Sequence, residues 1–152
     1  ITELGTCLGI TTLYLHRAAP DAAVYTLEGC PQTAAIAGEV FDAGHTRNIT
    51  QRVGNFDDTL LPLINALPQL DFVYVDGNHQ REATLRYFEW CLPKVHESTL
   101  LIFDDIYWSE GMKQAWAEIK QHPQVTVTVD LFWIGLVFFK KGQVKEDFKI
   151  RY

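Results

Sequence analysis

The sequence predicts an α/β fold, a doubly wound and mainly parallel seven-stranded sheet with helices on both faces and a C-terminal antiparallel hairpin. Three observations carry that prediction. Short apolar runs alternate with helical periodicities along the whole chain, with no linker, repeat or low-complexity stretch between them. Two of those runs, Phe72-Val73-Tyr74-Val75 and Thr99-Leu100-Leu101-Ile102-Phe103, are almost continuously apolar, as strands covered on both faces are. No helical stretch separates residues 125–131 from residues 134–139, so these two strands pair antiparallel, with Trp133 in the turn or at its edge. A succession of βα steps closed by a hairpin gives a Rossmann-like open sheet, which binds ligands beyond the carboxyl ends of its strands.

The elements follow in order. The chain opens on a strand that ends at Glu3-Leu4-Gly5-Thr6-Cys7-Leu8-Gly9-Ile10-Thr11. Gly5 permits a backbone angle that other residues resist, and Gly9 lets the next helix begin close to a ligand. The second strand, Val24-Tyr25-Thr26-Leu27-Glu28, ends in a carboxylate about twenty residues past the glycines, the place of a ribose-binding acid in nucleotide-binding α/β units. Residues 32–43 read as a helix with Ile36, Val40 and Phe41 among its apolar positions and Gly44 as its stop. Residues 48–53 form a third strand. A helix over 57–66 buries Leu60, Leu61 and Ile64 and ends before Pro68. After the strand at 72–75, a helix over 79–91 turns Leu85, Phe88 and Leu92 inward. The helix following the fifth strand carries Met112, Ala115, Trp116 and Ile119 on one face.

Composition narrows the function. The 152 residues form one domain by length, and 47% hydrophobic with 21% charged content is ordinary for a soluble protein. A formal net charge of -6 and no basic run beyond Lys140-Lys141 argue against nucleic acid as a partner. Cys7, Cys30 and Cys91 are odd in number and lack metal-ligand spacing, so neither a disulfide framework nor a zinc site is indicated. No signal peptide or long apolar span is visible, and no membrane partner is expected; a reducing cytoplasm fits best. Ile1 sits inside the first strand and is not an initiator methionine, which leads to the expectation of a natural segment upstream.

Polar groups gather at the expected strand ends: Glu3 with Gly5, then Glu28, then Gly54-Asn55, then Asp76-Gly77-Asn78-His79, then Asp104-Asp105. Each has a bland alternative. Asn78 can cap the following helix, Asp105 can satisfy loop amides, and His79 can be a surface histidine. Together they suggest more. Asp76, Asp104 and Asp105 at neighbouring strand ends would repel one another unless something positive lay between them. A hard, oxygen-ligated cation such as magnesium suits such a set, would hold an acceptor hydroxyl and would lower its pKa. His79 is the candidate to take the proton.

These motifs resemble those of class I S-adenosylmethionine-dependent methyltransferases, and among them the metal-dependent O-methyltransferases of the catechol and macrolide-sugar types. The resemblance runs from Glu3 to the closing hairpin. It implies that Glu3-Leu4-Gly5 with Gly9 and Thr11 holds the methionine part of S-adenosylmethionine, that Glu28 binds the ribose, and that Gly54 and Asn55 meet the adenine. It implies Asp76, Asp104 and Asp105 as ligands of a divalent metal, with His79 and Asp76 catalytic. Catechol-type members carry Asp-Asn where this chain has Asp104-Asp105, and lysine where it has His79; both departures are similar to sugar-type members and tilt the acceptor toward an aliphatic or sugar hydroxyl. Helices that such enzymes place before the first strand, where they cover the acceptor and form homodimer contacts, have no counterpart in this sequence.

The implied reaction is direct transfer of the sulfonium methyl to an aligned hydroxyl of a small-molecule acceptor. Tyr107 and Trp108 would either wall the acceptor pocket or pack under the next helix. Two rival readings remain: a non-catalytic cofactor-binding or assembly module of the same fold, and a nicotinamide-dependent oxidoreductase. The second lacks its Gly-x-Gly-x-x-Gly turn, because Cys7 stands at the middle glycine position.

Overall fold

The computed structural model describes residues 1–151, and the chain falls into two compact units, Ile1–Ala66 and Leu67–Tyr152. The first unit contains β1 (Thr2–Leu4), α1 (Ile10–Ala18), β2 (Val24–Glu28), α2 (Pro31–Ala43), β3 (Ile49–Val53) and α3 (Phe56–Ala66). Its strands are all parallel in the order β3-β2-β1, and the register sets Glu3 opposite Thr26 and Leu4 opposite Leu27. Leu4, Val24, Leu27, Ala37, Phe41, Leu60 and Ile64 are buried, each large one contributing about 1.5–3 kcal/mol. Ile36, expected among the apolar positions of α2, is exposed, and Leu63 joins Leu60 and Ile64 on the buried face of α3, where Leu61 is half-buried.

Gly9 is required by packing as well as by the turn. Its φ of 79° is left-handed, and a Cβ there would lie 2.6 Å from the ring of Phe41. The helix α1 therefore starts directly against the Phe41 ring of α2, and only glycine satisfies both demands.

The second unit contains β4 (Phe72–Val75), α4 (Arg81–Cys91), a short 3-10 turn (Leu92–Lys94), β5 (Leu100–Phe103), α5 (Glu110–Gln121), β6 (Val127–Asp130), β7 (Gly135–Phe138) and β8 (Glu146–Lys149). The order is β4-β5-β7-β6-β8. β4 and β5 are parallel, while β7 runs antiparallel to both β5 and β6, the expected hairpin. The α/β class is as the sequence predicts, but the described residues hold eight strands where seven were expected. The additional β8 pairs parallel to β6 and is exposed along its whole length, so it has no apolar alternation to betray it. Gly135 opens β7 directly beneath Trp116 of α5, whose ring would lie 2.7 Å from an added Cβ.

One boundary moves a site residue. The α4 helix begins at Arg81 with Gln80 as its N-cap, two residues later than periodicity suggests. Asn78 adopts a left-handed φ of 53°, and the Gln80 amide donates to the Asn78 carbonyl, so a tight turn precedes the helix. His79 consequently sits on the β4–α4 loop. The buried face of α4 is formed by Ala83, Thr84, Tyr87, Phe88 and Cys91, with Leu85 only half-buried. Among the described residues no helix is long and apolar enough to cross a membrane.

Candidate functional site

In the first unit the loop after β1 is wound tightly around the end of β2. Gly5, Cys7 and Gly9 all have positive φ, at 99°, 48° and 79°. The Gly5 and Thr6 amides both donate to the Leu27 carbonyl, and the Gly9 amide donates back to Thr6. Glu28 is clasped from two sides: Oε2 accepts from the Cys7 amide and Oε1 from the Cys30 amide, each at 2.9 Å. A carboxylate offers about four lone-pair positions, so two amides fix its plane and leave acceptor capacity for a diol.

Glu3 is fully buried beneath this turn. Its Oε2 accepts from the hydroxyls of Thr12, at 2.5 Å, and Thr26, at 2.7 Å, and Thr26 in turn meets the Thr6 hydroxyl at 2.6 Å. The hydroxyl that meets Glu3 thus belongs to Thr12, while Thr11 is exposed on the first turn of α1. Thr6, Thr12 and Thr26 were not anticipated; a run of threonines around an acidic strand end is the signal that points to them. Asn55, also exposed, opens α3: its Oδ1 accepts from the Asp57 amide and its carbonyl from the Asp58 and Thr59 amides. The Gly54 amide, one residue earlier, is tied to the Glu28 carbonyl.

The second unit gathers the other predicted residues. Tyr74, on the same face of β4 as Asp76, stands between two carboxylates, its hydroxyl 3.0 Å from Asp104 Oδ2 and 3.4 Å from Asp76 Oδ2. His79 Nε2 lies 3.6 Å from Asp76 Oδ1 and 3.7 Å from Asp105 Oδ2. Asp105 has a left-handed φ of 54°, and its amide donates to Asp104 Oδ1. Burial, followed by the charge of Asp104, pushes the Asp76 carboxyl above its ordinary range, with His79 pulling the other way. Burial also drives the Tyr74 phenol far upward, reinforced by both aspartates. Tyr74 was missed in the sequence because a tyrosine inside an apolar strand looks like packing.

The chemistry of this donor set suits a hard divalent cation: three carboxylates, all half-buried. Their present spacing does not gather them, and among the described residues no three His, Cys, Asp or Glu side chains form a group able to hold a metal ion. The Tyr74 hydroxyl and the His79 ring occupy the intervening positions.

A further polar cluster flanks the same loop. The Tyr107 hydroxyl donates to Asp130 Oδ2 at 2.5 Å, Lys149 Nζ donates to the Tyr107 oxygen at 2.9 Å, and the Phe132 amide donates to Asp130 Oδ1. Tyr107 stacks on Phe132, ring centroids 5.7 Å apart, and Phe132 meets Trp133 edge to face.

A family model described as a methyltransferase domain matches residues 2–106. Catechol O-methyltransferase of Niastella koreensis is 32% identical over 109 residues, which are 70% of this chain and 48% of that protein. The chain thus spans about half the length of the curated relative it matches. Among solved structures, the O-methyltransferase from Bacillus cereus in complex with SAH superposes with a TM-score of 0.74 at 24% identity, covering 90% of this chain and 72% of that one. The O-methyltransferase TomG from Streptomyces achromogenes, involved in tomaymycin synthesis and in complex with SAM, gives 0.77 at 21% identity, covering 91% and 72%. These two likenesses show the fold.

Proposed function

Since the chain belongs to the methyltransferase-domain family, we propose that it transfers a methyl group from S-adenosylmethionine to a hydroxyl of a small-molecule acceptor. The observation that carries this reading is the clasped Glu28. A carboxylate fixed by two backbone amides at the end of β2, beside a turn of left-handed residues, is built to accept both hydroxyls of a ribose. The turn from Gly5 to Gly9, with Thr11 beyond it, takes the methionine part, and Gly54 and Asn55 take the adenine. Glu3 acts from below by tying the first turn of α1 to β2 through Thr12 and Thr26.

On the acceptor side His79 receives the hydroxyl proton, and the flanking Asp76 and Asp105 stabilise the imidazolium that results. The acceptor oxygen then displaces the sulfonium methyl in line. The C–S bond breaks as the O–C bond forms, S-adenosylhomocysteine leaves neutral at sulfur, and no covalent enzyme intermediate is needed. A divalent cation, if bound, would be held by Asp76, Asp104 and Asp105 and would supply acidification of the acceptor hydroxyl.

S-adenosylmethionine at about a hundred times its dissociation constant should stabilise the protein by roughly 2.7 kcal/mol. Glu28→Ala should lose most of that shift. Stabilisation by NAD in place of S-adenosylmethionine would overturn the reading. For the cation, magnesium titrated calorimetrically should give heat with the wild type and none with Asp104→Asn; equal heats would dismiss the carboxylate site.

A further inference from the structure

β8 closes one side of the sheet, and among the described residues no strand lies beyond it. The Glu146 and Ile150 amides donate toward β6, to the Thr126 and Asp130 carbonyls. Backbone direction alternates along a strand, so Asp147 and Lys149 turn both amide and carbonyl away from the sheet. Such an edge is a template for another strand.

Proteins commonly blunt an edge with proline, a bulge or charges that repel an incoming strand. β8 has neither proline nor bulge, since residues 146–149 pair one for one with residues 127–130. One face of the strand is apolar in part, with Phe148 47% and Ile150 50% exposed. The other face carries Asp147 and Lys149, and both are held in place. Asp147 Oδ1 accepts from the Thr128 hydroxyl at 2.6 Å, and Lys149 Nζ donates to the Tyr107 oxygen.

The charges decide what can pair here. The segment reads Lys145-Glu146-Asp147-Phe148-Lys149-Ile150-Arg151, with an acid and a base placed symmetrically about Phe148. Against an antiparallel copy centred on Phe148, Asp147 faces the partner's Lys149 and Lys149 faces the partner's Asp147. These are the residues with outward amides, so each pair also exchanges two backbone hydrogen bonds. Phe148 meets the partner's Phe148 at the non-hydrogen-bonded position, where side chains approach most closely. Like charges meet only at the two ends, Lys145 against the partner's Arg151, and Lys145 is already drawn to the His122 carbonyl. Sliding by two residues sets Asp147 against the partner's Asp147, or Lys149 against the partner's Lys149. Sliding by one sets an outward amide against an inward one. One register remains.

We propose that β8 is a docking edge for a second copy of this chain, joined antiparallel across a two-fold axis at Phe148. Isologous pairing consumes both edges and closes as a dimer, whereas a head-to-tail contact leaves an edge open. The same register carries the partner's Val144, 77% exposed in the single chain, toward a cavity of about 450 Å³ that Phe132, Trp133 and Ile150 help to line. The cofactor cradle takes no part, so the dimer stands or falls separately from the methyltransferase reading.

Sedimentation of the chain over a dilution series should show a monomer–dimer equilibrium. Phe148→Asp and Asp147→Lys should each weaken the dimer by roughly tenfold or more. Both side chains are exposed, so the circular dichroism spectrum should not change. In a Cys7→Ser, Cys30→Ser background, Phe148→Cys should cross-link to its partner on mild oxidation, because opposed non-hydrogen-bonded residues lie within disulfide reach. Ile150→Cys should not, and this pair of variants reads the register even if a charge change disturbs β8. A monomer at every concentration would overturn the proposal. So would a dimer indifferent to Phe148→Asp and Asp147→Lys, or cross-linking at position 150 as efficient as at 148.

Discussion

Two sets of strand-end carboxylates, those of β1 and β2 and those that follow β4 and β5, are treated in opposite ways. In the first, Glu28 is met by two amides and Glu3 by two threonine hydroxyls, so each acid has donors of its own before any ligand arrives. In the second, Asp76 and Asp104 share one tyrosine hydroxyl and Asp76 and Asp105 share one histidine, while Asp104 also accepts from the Asp105 amide. The first arrangement fixes geometry; the second leaves unmet demand for a proton or a cation. A preformed cradle suits a cofactor that is the same in every turnover, and an unsatisfied cluster suits a step in which a proton must move.

The sharpest way to break that contrast is Glu3→Ala. It strands the Thr12 and Thr26 hydroxyls without their acceptor and opens a void under the turn, at a cost of about 2–4 kcal/mol in denaturant unfolding. Glu3→Gln, which keeps the shape and one acceptor oxygen, should cost less than half as much. A Glu3→Ala variant as stable as the wild type would mean that the donors contribute nothing.

Next come two aspartates of the second unit whose pH responses have opposite signs. Burial disfavours the charge on Asp130, but the Tyr107 hydroxyl, the Phe132 amide and Lys149 outweigh it and hold the carboxyl below its ordinary range. Its contribution is present above the unfolded aspartate pKa, about 3.9, and is lost as pH falls through the lower folded value. Asp130→Asn should therefore cost about 1–2 kcal/mol near neutrality and progressively less in acid. Asp76 is raised, so its contribution is full below the unfolded pKa and is lost as pH rises through the folded one. Asp76→Asn should gain on the wild type as pH rises from 4 toward neutrality, by a smaller amount. Parallel pH profiles for the two variants would erase the distinction between satisfied and unsatisfied acids.

The sequence made the cradle more legible than the cluster, for physical reasons. Glycines at positive φ, an apolar strand and a terminal acid are local signals, and Gly5, Gly9 and Glu28 show all three. Apolar continuity likewise revealed β4 and β5, and the missing helix revealed the hairpin. What escaped notice depends on contacts far apart in the chain. Tyr74 looks like core until Asp104 is brought beside it from thirty residues away, and Tyr107, Asp130 and Lys149 meet only through three separate elements. The start of α4 was misjudged because the left-handed turn at Asn78 overrides helical periodicity, and β8 was invisible because every residue in it is exposed.

The smallest effect in stability is the most informative about the cradle. Cys7 and Cys30, whose amides clasp Glu28, are exposed, whereas Cys91 is buried in α4 and burial pushes its thiol up to about 12. The hydroxyl and amide of Thr33 and the amide of Gln32 favour the Cys30 thiolate against the opposing charge of Glu28, so Cys30 sits below its ordinary value. A chromogenic disulfide should therefore titrate two thiols in the native protein and a third only after unfolding, with the Cys30→Ser variant losing one of the two. Because a ribose on Glu28 would lie against both clasping residues, saturating S-adenosylmethionine should slow both native thiols several-fold and NAD neither. If Cys91 reacts as fast as the others, the helix opens without unfolding; if the cofactor protects neither exposed thiol, the diol is not bound at Glu28.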